Sequence, residues 1–347
     1  MPASQGQGCE AGVLTRWRAS ALEALPVVLR AVQARRAMFI PATVACLAGC
    51  MAGASVAPQS SFDNSAVRVA VAPDAQHYGD DVYSSQPYAN DATVYERKGS
   101  SLMPLETLSS GIAAPQGTVT TPSGMWYLAN AGNSNVLIYR TTKKGPKGPV
   151  ATLDDSGEIP VNVDVTPDRN LVAVSNGTSA SSGTGSLSVY TNRGSQPFRT
   201  LTYGKDLLQG QGVAIDAQGN CFWSFNDLSE PSAPGSIVEF AGCSGTGTPV
   251  ISGITSAGGM TFDRNGNLYY VDEAAGIYKC KMTAQCAAFA TGLGLPININ
   301  FDAKEKHLWV ADATGYIYAV DPTSGQIESK TVSIDGDPYG IAPAPGN

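Results

Sequence analysis

The sequence predicts an all-β protein, a six-bladed β-propeller in which each blade is a sheet of four antiparallel strands. Two observations support this prediction: a short pattern recurs about every 45 residues, and the composition favours short strands joined by tight turns. The 347 residues include 38 Gly and 22 Pro but only 15% charged residues, while 43% are hydrophobic. A chain of this length can form one large all-β domain with a real core.

The repeat begins with a three-residue segment that opens the first strand of each blade. The six segments are Pro115-Gln116-Gly117, Pro160-Val161-Asn162, Gly210-Gln211-Gly212, Ala257-Gly258-Gly259, Pro296-Ile297-Asn298 and Pro338-Tyr339-Gly340. Their third residues lie 45, 50, 47, 39 and 42 residues apart. The first five lead into second strands at Met125–Asn130, Leu171–Asn176, Cys221–Asn226, Leu268–Asp272 and Leu308–Asp312. A third strand follows each time, so the unit has the length and content of a propeller blade.

The turns between first and second strands carry their own signal. Asp216–Asn220 and Asp263–Asn267 contain the Gly and Asn residues that tight hairpins need for positive φ angles. The first and second strands are therefore predicted to pair antiparallel.

The sixth blade is predicted to join the two ends of the repeat region. Pro338–Ala342 is a lone first strand, and three early strands supply its partners: Asp81–Ser84, Thr93–Glu96 and Leu105–Leu108. This three-plus-one closure removes the open sheet edges and places the propeller at residues 79–347. Seven blades are the alternative if Val67–Ala72 is a further first strand.

Residues 1–49 are predicted to be a targeting segment. Arg30, Arg35 and Arg36 precede an uncharged apolar stretch at residues 38–48, which is the order found in signal peptides. Residues 1–29 make an unusually long lead, so we expect the true start of the protein to lie downstream of Met1.

The tetrapeptide Leu47-Ala48-Gly49-Cys50 resembles the lipobox of bacterial lipoproteins, in which the Cys thiol is acylated and becomes the new N-terminus. The resemblance implies a lipid anchor at Cys50, a polar tether at residues 50–78 and a place in the cell envelope. Two alternatives stay open. Cleavage at Ala52-Gly53-Ala54 would release a secreted protein, and the uncharged residues 37–57 could remain as a membrane span.

Four of the seven cysteines fall within the propeller and are predicted to form two disulfides. Cys221 opens a second strand and Cys243 follows the third strand of the same blade, which antiparallel pairing brings side by side. Cys280 and Cys286 flank a short turn. Disulfides Cys221–Cys243 and Cys280–Cys286 would suit an oxidising periplasm or the outside of the cell, and free buried thiols are the alternative.

The charge distribution argues against nucleic acid as a partner. The formal net charge is −7, and residues 1–49 carry five Arg and two Glu, or +3, so the remainder carries −7 − 3 = −10. Phosphate backbones require clusters of Lys and Arg. We expect a monomer whose partner is a small molecule, a glycan or a protein, with the membrane contacted through the lipid anchor.

The recurrent P-x-G, D-x-x-G-N and aromatic-V-x-D/N patterns resemble NHL-repeat and SMP-30/gluconolactonase-like propellers over about residues 79–347. Lactonases of the SMP-30 type hold a divalent metal at the channel mouth, with several ligands from the slot before the repeated Gly. That slot here holds Gln116, Val161, Gln211, Gly258, Ile297 and Tyr339, with no carboxylate. Asn162 and Asn298, one position later, are at best neutral ligands. We therefore expect no cofactor, with a divalent cation as the less favoured alternative.

Nothing in the sequence argues for catalysis. Only two histidines exist, His77 before the repeats and His307 beside a turn, and neither has an evident partner. His307 is therefore interpreted as a stray surface residue. The sequence also lacks a G-x-S-x-G nucleophile motif.

Polar residues at the ends of the second strands are the remaining candidates for a ligand-facing ring. They are Asn130, Asn176, Asn226, Asp227, Asp272 and Asp312, with Asn162 and Asn298 nearby. The simpler alternative is that each one caps its own hairpin through an Asx-turn. The preferred hypothesis is a non-catalytic binding or scaffold propeller tethered at the envelope. The alternative is a metal-dependent, lactonase-like hydrolase with an atypical site.

Overall fold

The computed structural model describes residues 80–179, 183–191, 194–204, 207–230, 233–281 and 286–345. The predicted targeting segment, Cys50, the tether, His77 and the strand at Val67–Ala72 lie outside these ranges. The described residues form 24 strands and two 3₁₀ helices, Ala131–Asn133 and Ala241–Cys243. None of the helices in these ranges is long and apolar enough to cross a membrane.

The strands form six antiparallel sheets of four, and each sheet is one blade. Blade 1 contains β1 (Asp81–Gln86), β2 (Asp91–Lys98), β3 (Ser101–Leu108) and, from the far end of the chain, β24 (Gly340–Pro343). Blade 2 contains β4 (Pro115–Thr120), β5 (Met125–Asn130), β6 (Asn135–Arg140) and β7 (Lys147–Asp154). Blade 3 contains β8 (Pro160–Val165), β9 (Leu171–Asn176), β10 (Ser186–Thr191) and β11 (Arg199–Leu201).

The second half of the ring repeats this order. Blade 4 contains β12 (Leu208–Ile215), β13 (Cys221–Asp227), β14 (Gly235–Phe240) and β15 (Thr248–Ile254). Blade 5 contains β16 (Ala257–Phe262), β17 (Asn267–Asp272), β18 (Gly276–Lys281) and β19 (Cys286–Ala290). Blade 6 contains β20 (Pro296–Phe301), β21 (Leu308–Asp312), β22 (Tyr316–Val320) and β23 (Ile327–Val332).

The inner strands close a ring around the axis. These strands are β24, β4, β8, β12, β16 and β20, and each one contacts the inner strands of both neighbouring blades. In blade 1, β24 pairs antiparallel with β1, so that Tyr83 lies opposite Ala342. The predicted six blades and three-plus-one closure are confirmed.

The turns between first and second strands show the chemistry that the sequence predicts. Asp263 Oδ1 accepts the backbone N–H groups of Asn265 at 2.9 Å and Asn267 at 2.8 Å. Gly266 supplies the positive φ of 75° that this turn requires. The hydrogen bonds that Asp263 accepts therefore stabilise the hairpin turn between the first and second strands.

Aromatic side chains fill the space between blades. Trp126, Trp223 and Trp309 have no exposed surface. The Tyr83 ring of blade 1 stacks on Trp126 of blade 2 with their centroids 4.6 Å apart. Burial of each such ring contributes roughly 2 kcal/mol or more through the hydrophobic effect.

Both predicted disulfides are present. Cys221–Cys243 joins the start of β13 to the residue that ends the short helix after β14, and Cys280–Cys286 joins β18 to β19. These two bonds are compatible with an exported protein.

The two disulfides are expected to differ in their contribution to stability. We expect Cys221→Ala with Cys243→Ala to lower the free energy of unfolding by about 3 kcal/mol, and Cys280→Ala with Cys286→Ala by about 2 kcal/mol. The reason is loop length, because the sequence separations are 22 and 6 residues. Urea unfolding of the oxidised proteins measures both values. A larger loss from the Cys280–Cys286 pair would show that loop length does not set the order.

Candidate binding face

One end of the propeller collects the residues at which the second strands finish. Four first residues of inner strands lie opposite these residues: Pro115 opposite Asn130, Pro160 opposite Asn176, Ala257 opposite Asp272, and Pro296 opposite Asp312. The linkers that join one blade to the next therefore enter the inner strands at this same end. We call it the ring face.

Asp312 on the ring face holds the linker that enters its own blade. Its side chain has no exposed surface, and its carboxylate accepts the backbone N–H groups of Gly294 at 2.8 Å and Leu295 at 3.0 Å. It also accepts the N–H of Thr314 in the following hairpin at 2.9 Å. Asp272 repeats this arrangement, with Thr255, Ser256 and Ala274 as the backbone donors.

Asn130 and Asn226 bind backbone groups through their side-chain amides. Asn130 Oδ1 accepts the N–H of Ala113 at 2.6 Å, and its Nδ2 donates to the carbonyl of Gly111 at 3.1 Å. Asn226 reaches the next blade instead, where its Oδ1 accepts the N–H of Ala257 at 2.8 Å. The Asn130 amide therefore fastens a linker to a second strand, and the Asn226 amide fastens the start of β16 to the second strand of blade 4.

The register of blade 4 differs from the pattern in the sequence. Val213 lies opposite Trp223, which places Phe225 at the position that Asn176 or Asp312 occupies in other blades. Asn226 and Asp227 lie one and two residues further along, because β13 extends to Asp227.

Blade 1 contributes a ring position that the sequence pattern misses. Strand β1 extends beyond the predicted Ser84 to Gln86, which therefore occupies the ring position of this blade. Gln86 is fully buried, and its amide nitrogen Nε2 donates to Ser84 Oγ at 3.1 Å and to Ser333 Oγ at 3.4 Å. The other blades that follow the pattern have Asn or Asp at this position. A search for Asn or Asp therefore misses Gln86, and only the pairing of β1 with β24 identifies it as the ring residue.

Linker and hairpin contacts thus occupy many of the ring oxygens. Asp227, Asp272 and Asp312 each also accept an N–H from the residue two positions further on, as the Asx-turn alternative predicts. A ligand-facing role for the ring residues stays a prediction. These contacts satisfy the buried side chains of Asn130, Asp272 and Asp312.

Asn162 and Asn298 lie on the inner strands, where space is limited. Both side chains are buried. A Cβ atom added to Gly117 would lie 2.5 Å from Asn162 Oδ1, and one added to Gly259 would lie 3.1 Å from Asn298 Cγ. The preceding blade therefore needs glycine at this slot to accommodate each asparagine.

Asp164 and Asn300 join inner strands to their neighbours. Asp164 Oδ2 accepts the N–H of Ile215 in blade 4 at 2.7 Å. Burial raises the pKa of Asp164 to about 6, although this hydrogen bond and one from Val165 oppose the shift. In blade 6, Asn300 Nδ2 donates to the carbonyls of Ile341 at 2.8 Å and Thr118 at 3.1 Å.

The lactonase-type metal does not fit the residues at the channel mouth. The slot before the repeated Gly holds Gln116, Val161, Gln211, Gly258, Ile297 and Tyr339, none of which is an anionic ligand. Within the described ranges, no three His, Cys, Asp or Glu side chains come together as a metal-binding group. We derive no reaction step through such a metal.

His307 is not a stray surface residue, so that interpretation is wrong. Its Nδ1 lies 3.1 Å from Asp302 Oδ2, and its Nε2 lies 3.3 Å from Glu328 Oε2. Asp302 Oδ2 also accepts from Arg97 Nη1 at 3.0 Å, which links blade 6 to blade 1. His307 precedes β21, at the end of the blade opposite the ring face.

Two exposed leucines lie next to each other at the ring face. Leu207 precedes β12 and is 46% exposed, and Leu228 follows β13 and is 45% exposed. The N–H of Leu228 donates to the carbonyl of Leu207 at 2.9 Å. Leu207 has a positive φ of 59°, a strained conformation for a residue with a bulky side chain. We call these residues the leucine pair.

The fold resembles solved propellers at low sequence identity. A functionally unknown protein from Desulfotomaculum acetoxidans DSM 771 has 13% identity and a TM-score of 0.54, with 77% of this chain and 100% of that chain covered. Hydrazine synthase from Kuenenia stuttgartiensis has 14% identity and a TM-score of 0.53, with 77% and 87% covered. Regucalcin from Agrobacterium tumefaciens, a calcium-binding protein, has 15% identity and a TM-score of 0.49, with 67% and 78% covered.

The two likenesses with TM-scores above 0.5 show the fold alone. The chain matches no protein-family model and no curated protein sequence. The six-bladed propeller that the sequence patterns implied is confirmed by the blades themselves.

Loss of a ring carboxylate is expected to destabilise the propeller. We expect Asp312→Ala to lower the free energy of unfolding by about 2–5 kcal/mol, because several buried N–H groups lose their acceptor. Asp321→Ala is the control, since Asp321 accepts N–H groups only in a solvent-exposed turn and its loss should cost much less than the loss of Asp312. Chemical denaturation measures both variants. Equal losses would contradict a special role for the linker contacts.

Proposed function

We propose that this protein is a non-catalytic binding or scaffold propeller of the bacterial cell envelope, and that it recognises a protein partner through the ring face. The leucine pair is the observation that carries the proposal. Two neighbouring, half-exposed leucines offer apolar contact area that a partner could bury.

The surroundings of the leucine pair support recognition by loops held on a rigid scaffold. The loop at residues 178–185 is anchored beside the pair, where Thr178 Oγ1 donates to the carbonyl of Leu208 at 2.7 Å and Leu208 N donates to Thr184 Oγ1 at 3.2 Å. A second long loop, residues 228–235, begins at Leu228 itself. Long loops on a rigid scaffold commonly carry binding functions.

The strained backbone at Leu207 supports a functional role for the leucine pair. The negative charge of the chain outside residues 1–49 specifies the partner further. A bulky side chain held at positive φ costs of order 1–3 kcal/mol, and such strain concentrates at functional sites. Outside residues 1–49 the chain carries a formal charge of −10. We therefore propose a partner that presents apolar side chains within a neutral or basic surface.

The place in the envelope rests on the targeting segment. The lipobox-like Leu47–Cys50 supports acylation of Cys50, with residues 50–78 as the tether. The two disulfides agree with an oxidising compartment.

The leucine pair can be tested in the full-length protein in the cells that produce it. A photo-crosslinking amino acid at position 228 should capture one defined partner, and Leu207→Ser with Leu228→Ser should reduce its co-purification by roughly tenfold or more. Val150→Ser is the matched control, because Val150 is 51% exposed on β7 of blade 2 and should have no effect. Unchanged co-purification in the double variant would contradict the proposal. Lactone hydrolysis that requires a divalent metal would replace it with the enzyme alternative.

The lipid anchor has its own test. We expect Cys50→Ser to move the protein from the membrane fraction to the soluble fraction, because the acylated thiol is lost. Metabolic labelling with a fatty acid should mark the parent protein and not the variant. Soluble parent protein would indicate cleavage at Ala52–Ala54, and membrane retention of the variant would indicate a remaining span.

A further inference from the structure

A cluster of buried oxygen atoms lies where blade 2 is joined to blade 3. Asp155 and Glu158 belong to the linker between β7 and β8, and Asn176 ends β9. Ser188 and Tyr190 project from β10, on the face shared with Asn176. We call this group the linker cluster. It is built on the second and third strands of blade 3, outside the inner strands and their metal slots.

The hydrogen-bond donors of the linker cluster are already engaged. Ser188 Oγ and the Tyr190 hydroxyl both donate to Asp155 Oδ1, at 2.8 and 2.7 Å. Asn176 Nδ2 donates to Ser186 Oγ and Ser188 Oγ, each at 3.0 Å. The amide of Asn176 and one oxygen of Asp155 are therefore fixed in place.

Three acceptors remain without a donor. Asp155 Oδ2, Glu158 Oε2 and Asn176 Oδ1 are shielded from water and have no hydrogen-bond partner in the described structure. Asp155 is only 2% exposed, and Asn176 is completely buried. Buried acceptors left unpaired are rare and costly, so three in one cluster indicate a missing partner.

Comparison with other blades shows why the deficit arises here. In blade 2, Asn130 Oδ1 accepts a linker N–H from Ala113. In blade 3, the linker instead closes a turn on itself, with the N–H of Glu158 donating to the carbonyl of Asp155 at 3.0 Å. Asn176 Oδ1 therefore lacks the donor that its counterpart has, and the turn brings carboxylates to the site in its place.

The two carboxylates increase the need for a positive charge. Among the described residues, neither carboxylate forms an ion pair with Lys or Arg. A buried carboxylate beside a second, partly buried carboxylate and without a cation is unfavourable.

We propose that Asp155, Glu158 and Asn176 bind a Ca²⁺ ion, which fastens the linker between blades 2 and 3. The ligand atoms are all oxygen, which selects a hard cation and disfavours zinc. Ca²⁺ accepts irregular oxygen sets, whereas Mg²⁺ requires near-ideal octahedral geometry and releases water reluctantly. Water completes the coordination, as it commonly does at Ca²⁺ sites.

A proton is the competing occupant, and it satisfies the cluster less well. One proton can join Asp155 Oδ2 to Glu158 Oε2, but it leaves Asn176 Oδ1 without a partner. A cation between the two carboxylates and the amide is attracted by all three oxygens. The site is independent of the leucine pair, so failure of either proposal leaves the other standing.

Terbium luminescence tests the site directly in the full-length protein after removal of metals with a chelator. Tb³⁺ replaces Ca²⁺ at oxygen sites, and Tyr190 lies within the cluster as a light-absorbing donor. We expect sensitised emission that CaCl2 displaces and that Tyr190→Phe largely removes. Isothermal titration with CaCl2 should give one site per chain, and CaCl2 should raise the unfolding temperature.

The variants are chosen to keep the shape of the cluster. Asp155→Asn and Glu158→Gln should each weaken Ca²⁺ binding by roughly tenfold or more, whereas Asn176→Asp should strengthen it by adding a charged ligand. Asp168→Asn is the control, because it removes the same charge from an exposed turn at the other end of blade 3. Circular dichroism shows whether each variant still folds. Tb³⁺ emission from Asn176→Asp shows that a substitution in the cluster can leave the site able to bind a cation. An unfolding temperature indifferent to CaCl2, or Tb³⁺ emission that survives Asp155→Asn, would overturn the proposal.

Discussion

The close approach of six inner strands around one axis is the constraint on which the rest of the structure depends. Each inner strand contacts two others, so little space remains between neighbouring backbones. Glycine at the third slot of one blade makes room for an asparagine in the next, as Gly117 does for Asn162 and Gly259 for Asn298. The polar side chains that do enter this region, such as Asn300, bind backbone carbonyls and so join blades that are distant in sequence.

Buried polar groups position the linkers, and apolar side chains hold the blades together. Aromatic rings such as those of Tyr83 and Trp126 stack on one another and fill the space between blades. Carboxylates such as Asp312 require donors, and these donors come from linkers that would otherwise carry unpaired N–H groups. The linker between blades 2 and 3 departs from this scheme because its own carboxylates add acceptors where the other linkers supply donors.

Periodic and local signals allowed most of the fold to be predicted from the sequence. The repeat spacing predicted six blades, and the strand positions of the cysteines predicted both disulfides. The register of blade 4 could not be predicted from the sequence, because the extension of β13 to Asp227 depends on its pairing with β12. The partners of His307 were also missed, since Asp302 and Glu328 meet it only when β20, β21 and β23 lie in one blade.

The pairing of β1 with β24 also sets an order of events during biogenesis. Strand β1 is made before the five complete blades, yet its inner partner becomes available only after all of them. Until then the β1 edge exposes unpaired backbone groups that could pair with another chain. The first blade therefore cannot close until the last strand is available, and a chaperone that shields strand edges during this interval would protect the chain from aggregation.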